Sequence, residues 1–258
     1  MKVVIFAGGK GSRISEESHL KPKPMIEVGE KPILWHIMKS YAAYGHNEFI
    51  ICLGYKGYMI KEYFLNYYFH NADVTVDLND DSVEVHKNKS ENFKITLVDT
   101  GAETMTAGRL QRVKQYINPD EDFMLTYGDG VANLDLDEEL RFHKEHGKIA
   151  TMCIVQPGSR FGVLDIDEHH IVRNFIEKPK EDGAWINGGF FILKPSVFDY
   201  IPTNADEIMW EDTPLKSLTK AGELAAFKHK GFWKCMDTLR DNMELNKLWE
   251  TNPLWKKW

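Results

Sequence analysis

Glycines and basic residues with the spacing of an anion-binding loop occur near the start of the chain. The apolar segment Val3 to Ala7 is followed directly by Gly8-Gly9-Lys10-Gly11-Ser12-Arg13. Because glycine has no side chain, the backbone N–H groups of such a loop can approach an anion closely. The pattern predicts a phosphate-binding loop after a β-strand. From the glycines alone, a plain tight turn is an equally good interpretation.

Two other glycine motifs do not fit this loop. A dinucleotide-binding G-x-G-x-x-G motif needs a third glycine where the chain has Ile14. A P-loop needs Gly-Lys-Ser/Thr after four spacer residues, and the segment lacks this spacing. These departures argue against a nicotinamide-dependent dehydrogenase and against a P-loop enzyme.

Cationic side chains are concentrated around the glycine loop, in an otherwise acidic protein. The formal net charge is -7, from 32 Lys and Arg against 39 Asp and Glu, which argues against binding nucleic acid or an anionic membrane through bulk charge. A local cluster must therefore hold any anionic ligand, and Lys10, Arg13, Lys21 and Lys23 form one. Prolines on both sides of Lys23 predict a stiff, extended segment 21–25 that holds this lysine towards a polyphosphate.

The elements that must position these residues alternate between strands and helices. The predicted strands are Val3–Ala7, Phe49–Leu53, Phe123–Tyr127, Ile149–Val155 and Phe190–Leu193, and the predicted helices are Pro32–Tyr44, Lys56–Phe69 and Asp135–His146. This order predicts a mostly parallel sheet covered by helices. Shorter alternating segments predict a hairpin-like excursion over Val74–Leu78, Val83–His86 and Ile95–Val98, and antiparallel strands over Phe161–Asp167 and Ile171–Glu177.

Length and composition predict one α/β domain over residues 1–258. No stretch approaches the roughly 20 apolar residues of a membrane span, and the N-terminus does not have the pattern of a signal peptide. Cys52, Cys153 and Cys235 are odd in number and lack metal-ligand spacing, which favours reduced core thiols and a cytoplasmic location.

Motifs along nearly the whole chain resemble, in the same order, those of the sugar-1-phosphate nucleotidyltransferase family. They are Val4–Arg13, Lys21-Pro-Lys-Pro-Met25, Lys31-Pro-Ile33, Tyr127-Gly-Asp-Gly130, Phe161-Gly162, Glu177-Lys-Pro179, Asn187-Gly-Gly189 and Phe232–Thr238. The resemblance implies a Rossmann-like mixed sheet of the nucleotide-diphospho-sugar transferase type. It also implies a reaction in which a sugar 1-phosphate attacks the α-phosphorus of a nucleoside triphosphate and expels pyrophosphate.

The chemistry of this reaction agrees with the residues present. A sugar 1-phosphate is mostly a dianion at neutral pH because its second pKa is about 6, so no protein base or nucleophile is required. The barrier is charge repulsion and alignment, which cations relieve. The resemblance implies catalytic roles for Arg13, Lys23 and Asp129, with Mg²⁺ bound by Asp129 and Asp237. Alone, Asp129 is equally well an ordinary turn residue, and Asp237 is better explained as the N-cap of a helix at Thr238.

The resemblance also implies two sets of binding residues. For the nucleotide they are Phe6, Ala7, Gly8, Gly9, Lys10, Gly11, Ser12, Arg13, Lys23, Thr104, Arg109 and Gly128. For the sugar phosphate they are Glu177, Lys178, Asn187 and Gly188, whose carboxylate, ammonium and amide groups suit sugar hydroxyls and phosphate.

The choice of base depends on the segment from Asp99 to Leu110. This segment is similar to the branch of the family that uses CTP and glucose 1-phosphate, although Ala107 replaces an expected glycine. Cytosine presents acceptors at N3 and O2, and arginine can only donate, so Arg109 together with Thr104 is predicted to select CTP. UTP or dTTP as substrate, a non-catalytic sugar-nucleotide-binding homologue, and an Arg109 that faces phosphate or solvent remain alternatives.

The resemblance further implies a bacterial enzyme that supplies activated glucose for the dideoxyhexoses of surface polysaccharide (O-antigen). It implies a homo-oligomer, a trimer or a hexamer. His143, His146 and the pair His169-His170 are predicted to be solvated rather than metal ligands. Trp249, Trp255 and Trp258 are predicted to dock the C-terminal tail or to form a subunit interface.

Overall fold

The computed structural model describes residues 1–9, 14, 19–157, 163–166, 172–176 and 184–258. The strands are β1 (Lys2–Ala7), β2 (Glu27–Val28), β3 (Lys31–Pro32), β4 (Glu48–Leu53), β5 (Ala72–Asp77), β6 (Ser82–Asn88), β7 (Lys94–Asp99), β8 (Phe123–Tyr127), β9 (Gly130–Ala132), β10 (Ala150–Val155), β11 (Val163–Ile166), β12 (Val172–Ile176), β13 (Ile186–Leu193), β14 (Leu224–His229) and β15 (Trp233–Cys235). The α-helices are α1 (Ile33–Ala42), α2 (Gly57–His70), α3 (Thr106–Val113), α4 (Leu136–His146), α5 (Thr213–Lys220) and α6 (Leu239–Thr251).

A seven-stranded sheet runs through the molecule in the order β14-β10-β13-β8-β1-β4-β7. Within it only β13 is antiparallel to its neighbours. The central strands β1, β4 and β8 are nearly continuous apolar segments and are buried, as expected where helices cover both faces of a sheet. The predicted α/β architecture with a mixed, mostly parallel sheet is confirmed.

The carboxyl ends of four adjacent parallel strands meet at one edge of this sheet. Strands β7, β4, β1 and β8 are joined in that order by parallel pairing. The residues that follow them, Thr100, Gly54, Gly8 and Gly128, therefore lie side by side at this edge. Open α/β sheets bind ligands at such an edge.

One predicted strand has a different place in the fold. Val74–Leu78 and Val83–His86 fall in β5 and β6, which form the predicted antiparallel hairpin. The segment Ile95–Val98 instead belongs to β7, which pairs in parallel with β4 at the edge of the main sheet. An edge strand is covered less than a central one, and β7 is accordingly half-exposed. Its short alternating pattern therefore resembled that of a hairpin strand.

The C-terminal tail docks on the molecule, as predicted. Trp255 is fully buried and stacks on Phe232 and Trp249, with ring centroids 5.8 Å and 6.1 Å apart. Its indole Nε1 lies 3.4 Å from Nδ1 of His36, which is also fully buried. The side chain of Trp258 packs edge-on against Trp35. The tail thus closes an aromatic cluster over α1.

The prediction that the histidines of α4 are exposed to solvent is wrong for His143. His143 is fully buried, and its Nδ1 lies 2.7 Å from Oγ1 of Thr151 on β10. Burial lowers the pKa of His143 to about 4, so the ring is neutral at physiological pH. The many charges of α4 concealed one inward face, which also buries Glu139. His169 and His170 lie outside the described residues.

Two further predictions concern the cysteines and the membrane. Cys52, Cys153 and Cys235 are free thiols; the first two are buried, which confirms them as core residues, whereas Cys235 is half-buried. Within the part of the chain that the structure describes, every helix is too short or too polar to span a bilayer.

Candidate active site

One ammonium group and two carboxylates converge at the carboxyl edge of the sheet. Nζ of Lys23 lies 2.6 Å from Oδ2 of Asp129 and 2.6 Å from Oδ1 of Asp237, although these residues are 106 and 214 positions away in sequence. The lysine side chain is only 12% exposed. Burial alone lowers the pKa of Lys23, but its interactions with the two carboxylates outweigh this effect and raise the pKa above its usual value. Lys23 therefore stays charged.

A tight turn holds Lys23 in place. Pro22 is extended, but Lys23–Met25 form one turn of 3-10 helix, closed by the Met25 N–H group donating to the carbonyl of Pro22 at 2.8 Å. The prediction of an extended segment 21–25 is therefore wrong after Pro22, because proline is compatible with the first turn of a helix. Pro24 and Met25 are buried and anchor the turn. Lys21 instead lies near the surface and pairs with Glu27 at 3.0 Å.

Asp129 and Asp237 are placed by a small antiparallel pair of strands. Asp129 lies between β8 and β9, and β9 pairs with β15 so that Gly130 faces Cys235. The Met236 N–H group donates to the carbonyl of Asp129 at 2.8 Å. Asp237 is not the helix N-cap, because Thr238 occupies that position and forms a capping box with Asp241. The carboxylate of Asp237 is therefore directed to the site.

Gly128 permits the close approach on which this geometry depends. Its N–H group donates to the carbonyl of Phe6 at 2.9 Å. A Cβ at position 128 would lie 2.8 Å from the same carbonyl oxygen and 3.1 Å from Cγ of Pro24. A side chain here would separate the end of β8 from the end of β1, and would move Asp129 away from Lys23.

The two carboxylates fit a hard divalent cation. Since both oxygens lie 2.6 Å from Nζ of Lys23, they are at most about 5.2 Å apart, and they already share one positive charge. Among the described residues no group of three or more His, Cys, Asp or Glu side chains forms a complete metal site. A metal here would have two carboxylate ligands and would complete its coordination with water and phosphate oxygens, which is the preference of Mg²⁺.

Arg109 is held at the same edge by neutral acceptors. It is 4% exposed, and its Nη1 donates to the carbonyl of Leu53 at 2.9 Å, to Oγ1 of Thr100 at 2.7 Å and to the carbonyl of Gly101 at 2.8 Å. Its Nη2 donates to the carbonyl of Gly8 at 3.1 Å. The guanidinium thus ties together the loops that follow β1, β4 and β7. The alternative in which Arg109 faces solvent is wrong, and the base-reading role stays a prediction.

Thr104 is buried beside this arginine, just before α3. A Cβ at Gly101 would lie 2.6 Å from Oγ1 of Thr104, and a Cβ at Gly108 would lie 2.7 Å from its Cγ2. Thr104 is therefore enclosed between two glycines near Arg109. This placement is consistent with the predicted pairing of the two residues.

Two residues predicted to bind the sugar phosphate line a cavity together with Asp129. A cavity of about 60 Å³ is lined by residues that include Asp129, Asn187 and Gly188. Oδ1 of Asn187 accepts a hydrogen bond from the Gly189 N–H group at 2.8 Å, which fixes the orientation of the amide. Trp233 lines the same cavity and donates from Nε1 to the carbonyl of Gly188 at 2.7 Å. The sequence pattern predicts no role for this tryptophan, although it lies within a family motif.

The structure brings together most of the predicted site residues that it describes. Phe6 and Ala7 end β1, and Gly8 and Gly9 follow them at the edge that also holds Lys23, Arg109 and Gly128. The remaining predicted residues lie outside the described residues, namely Lys10, Gly11, Ser12, Arg13, Glu177 and Lys178. Their roles stay predictions.

Comparison with known proteins decides the family. The nucleotidyl transferase family model matches residues 2–252. The chain belongs to the nucleotidyl transferase family. It is 56% identical over 259 residues to glucose-1-phosphate cytidylyltransferase of Salmonella typhi, with all of both chains covered. A more distant relative is mannose-1-phosphate guanyltransferase of Aspergillus oryzae, with 29% identity over 90% of this chain and 60% of that protein.

Solved structures share the fold of this nucleotidyl transferase. HddC from Yersinia pseudotuberculosis complexed with GMP-PN has a TM-score of 0.69 at 24% identity and covers 96% of this chain and 99% of its own. UDP-glucose pyrophosphorylase complexed with UDP-glucose has a TM-score of 0.67 at 18% identity, covering 96% and 98%. The predicted enzyme class is confirmed by the family model and by the full-length likeness to the Salmonella cytidylyltransferase, whereas these structures show the fold. Nucleotidyl transferases use a divalent metal, and Asp129 and Asp237 are the side chains that fit one here.

Proposed function

We propose that this enzyme transfers a cytidylyl group from CTP to α-D-glucose 1-phosphate and forms CDP-glucose and pyrophosphate. The observation that carries the proposal is the convergence of Lys23, Asp129 and Asp237 near the end of β1, at the ligand-binding edge of the sheet. The choice of CTP and glucose 1-phosphate is supported by full-length likeness to the Salmonella cytidylyltransferase. The proposed catalytic domain comprises residues 1–258.

The reaction requires positioning of charge rather than a protein nucleophile. A phosphate oxygen of glucose 1-phosphate forms a bond to the α-phosphorus of CTP, and the bond from that phosphorus to the pyrophosphate oxygen breaks. Burial, followed by the nearby carboxylates, raises the pKa of Cys235 to about 11, so this thiol next to the site stays protonated. The protein's part is to hold the two phosphates in line and to offset their repulsion.

Each charged residue has a separate part in this proposal. Lys23 moves its hydrogen bonds from the carboxylates to the phosphate oxygens of CTP, and Asp129 and Asp237 hold Mg²⁺. The bound metal supplies Lewis-acid stabilisation of the negative charge on the reacting phosphates. Asn187 orients the sugar phosphate, and Arg109 and Thr104 face the base. Arg13, Lys10 and the other loop residues are proposed to bind the triphosphate, with Glu177 and Lys178 on the sugar phosphate.

Pyrophosphate release across CTP, UTP, dTTP and GTP with glucose 1-phosphate tests this function. We expect the highest kcat/KM with CTP and no release without a sugar phosphate. A preference for UTP or dTTP would contradict the cytidylyl assignment. Absence of turnover with every triphosphate, together with binding of CDP-glucose, would indicate a non-catalytic homologue.

The cellular setting is part of the same proposal. We propose a cytoplasmic homo-oligomer that supplies CDP-glucose for the dideoxyhexoses of bacterial surface polysaccharide. Fractionation of cells that express the protein checks the location, and light scattering of the purified protein checks the assembly. A monomeric mass at micromolar concentration would contradict the oligomer.

A further inference from the structure

Glu211 bridges two hydroxyl groups that belong to opposite sides of the proposed substrate site. It lies in the turn before α5, and its Oε1 accepts a hydrogen bond from the hydroxyl of Tyr127 at the end of β8. Its Oε2 accepts a hydrogen bond from Oγ1 of Thr106 at 3.2 Å. Thr106 is the first residue of α3, the helix that carries Arg109. Both oxygens of one carboxylate are therefore engaged.

The hydrogen bonds that connect Glu211 with Asn187, which is proposed to bind the sugar phosphate, run in one direction. A carboxylate only accepts, so the hydroxyl of Tyr127 must donate to it. The same oxygen is then free to accept, and Nδ2 of Asn187 lies 3.4 Å away. Since Oδ1 of Asn187 accepts from Gly189, the donors run from Gly189 through Asn187 and Tyr127 to Glu211.

The hydrogen bonds at the start of α3 also lead to Glu211. The Trp210 N–H group donates to Oγ1 of Thr106 at 2.7 Å, which directs the hydroxyl proton of Thr106 to the carboxylate. The segment preceding Glu211 accepts from the start of α3 as well. The carbonyl of Asp206 accepts from the Met105 N–H group at 2.7 Å. The position of α3 is thus coupled to the segment that carries Glu211.

We propose that Glu211 is a positioning residue for nucleotidyl transfer. Through Tyr127 it orients the amide of Asn187 towards the sugar phosphate, and through Thr106 it fixes the helix that presents Arg109. The inference rests on the proposed function, which assigns these two regions to the two substrates. A carboxylate is required because it accepts from both hydroxyls, whereas an amide would turn an NH₂ group towards one of them.

Steady-state kinetics of Glu211→Gln and Tyr127→Phe test this inference. We expect each substitution to raise the KM for glucose 1-phosphate about tenfold, which corresponds to about 1.4 kcal/mol, with a smaller change in kcat. The double variant should raise this KM no further than either single variant, because both changes break the same hydrogen-bonded chain. Glu207→Gln is the matched control, since it makes the same charge change on an exposed side chain four residues away and should leave KM unchanged.

The outcomes separate this inference from the proposed function. A merely structural role for Glu211 would lower Tm and kcat and leave the KM for glucose 1-phosphate unchanged, which would overturn the inference. Additive effects in the double variant, or a KM in Tyr127→Phe equal to that of the wild type, would also overturn it. If Glu211→Gln does not fold, Tyr127→Phe alone decides. A wild type that forms no CDP-glucose would instead contradict the proposed function and remove the basis of the inference.

Discussion

Two cations at the same edge of the sheet are held in different ways. Lys23 is paired with two carboxylates, so one positive and two negative charges leave a net charge of -1. Arg109 is surrounded by backbone carbonyls and a hydroxyl, which accept hydrogen bonds from its Nη atoms but leave its full charge. A metal ion can take the place of Lys23 beside the two carboxylates, and phosphate can then pair with Lys23. Every charge would still have an opposite charge beside it. The partners of Arg109 are the loops themselves, so this cation maintains the shape of the site.

The largest expected effect comes from removing one of the two carboxylates that pair with Lys23. Asp129→Asn removes one of the two carboxylates that share Lys23 and are proposed to bind the metal. We expect kcat to fall about a thousandfold, as when about 4 kcal/mol of charge stabilisation is lost from the transition state. The control is Asp120→Asn, which makes the same change on an exposed side chain before the opposite end of β8. Similar kcat values for the two variants would show that Asp129 has no part in catalysis.

Lys23→Met leaves the two carboxylates without their shared cation. We expect kcat/KM for CTP to fall about a hundredfold, by comparison with the loss of other preorganised charge contacts. We also expect MgCl₂ to raise Tm more in this variant than in the wild type, because the metal relieves the repulsion between Asp129 and Asp237. Thermal unfolding with and without MgCl₂ measures this difference, and Lys21→Met is the surface control. An equal rise in Tm in the wild type and both variants would contradict the inference that Lys23 and the metal occupy the same position between Asp129 and Asp237.

Arg109→Lys tests the cation that is held by neutral acceptors. A lysine has three donors on one nitrogen and cannot reach the separate carbonyls of Leu53, Gly101 and Gly8. We expect a loss of about 2–4 kcal/mol in the free energy of unfolding, measured with urea, because buried acceptors lose their donors. Arg112→Lys is the control, since this side chain is 42% exposed and should lose less. Equal losses would mean that the carbonyl contacts of Arg109 contribute little.

Arg109→Ala sharpens the same comparison by asking whether this scaffold residue also recognises the base. We expect kcat/KM to fall further for CTP than for UTP, because arginine can donate to N3 and O2 of cytosine but meets a donor at N3 of uracil. The two substrates are assayed side by side. An equal fall for both would leave Arg109 as a scaffold residue only.

The smallest effect concerns His36, a buried base that carries no charge. Burial lowers the pKa of His36 to about 4, below its unfolded value of about 6.5. The unfolded chain therefore takes up a proton first as the pH falls, so the stability present above pH 6.5 is lost towards pH 4. We expect His36 and His143, whose pKa burial also lowers to about 4, each to account for about 2 kcal/mol of lost unfolding free energy between pH 7 and pH 5. Urea unfolding followed by tryptophan fluorescence checks it, and constant stability over this range would be contrary to it.

Much of the sheet could be predicted because its strands are long, apolar and bounded by turn residues. β8 has the predicted limits, and the predicted helices α1, α2 and α4 differ by no more than two residues at either end. The place of β7 could not be predicted, since its pattern reflects partial cover at a sheet edge and its partner is distant in sequence. His143 was misassigned because the charges of α4 conceal its one buried face.

The candidate site shows the same division. The glycine and proline pattern predicted Lys23, because those residue types have local conformational consequences, whereas Gly128 and Asp129 were implied by the resemblance to the family. The contact of Lys23 with two carboxylates depends on the pairing of β9 with β15, which no local pattern reports. Glu211 gave no signal in sequence at all. Its role depends on a turn that folds back onto the start of α3.

Phosphorus NMR of a mixture of CTP, glucose 1-phosphate and MgCl₂ tests the central claim most directly. With the wild-type protein we expect the paired phosphorus signals of CDP-glucose to appear together with an equal amount of pyrophosphate, and with Asp129→Asn we expect neither over the same period. Release of CMP or CDP without CDP-glucose, or equal product from both proteins, would contradict the account.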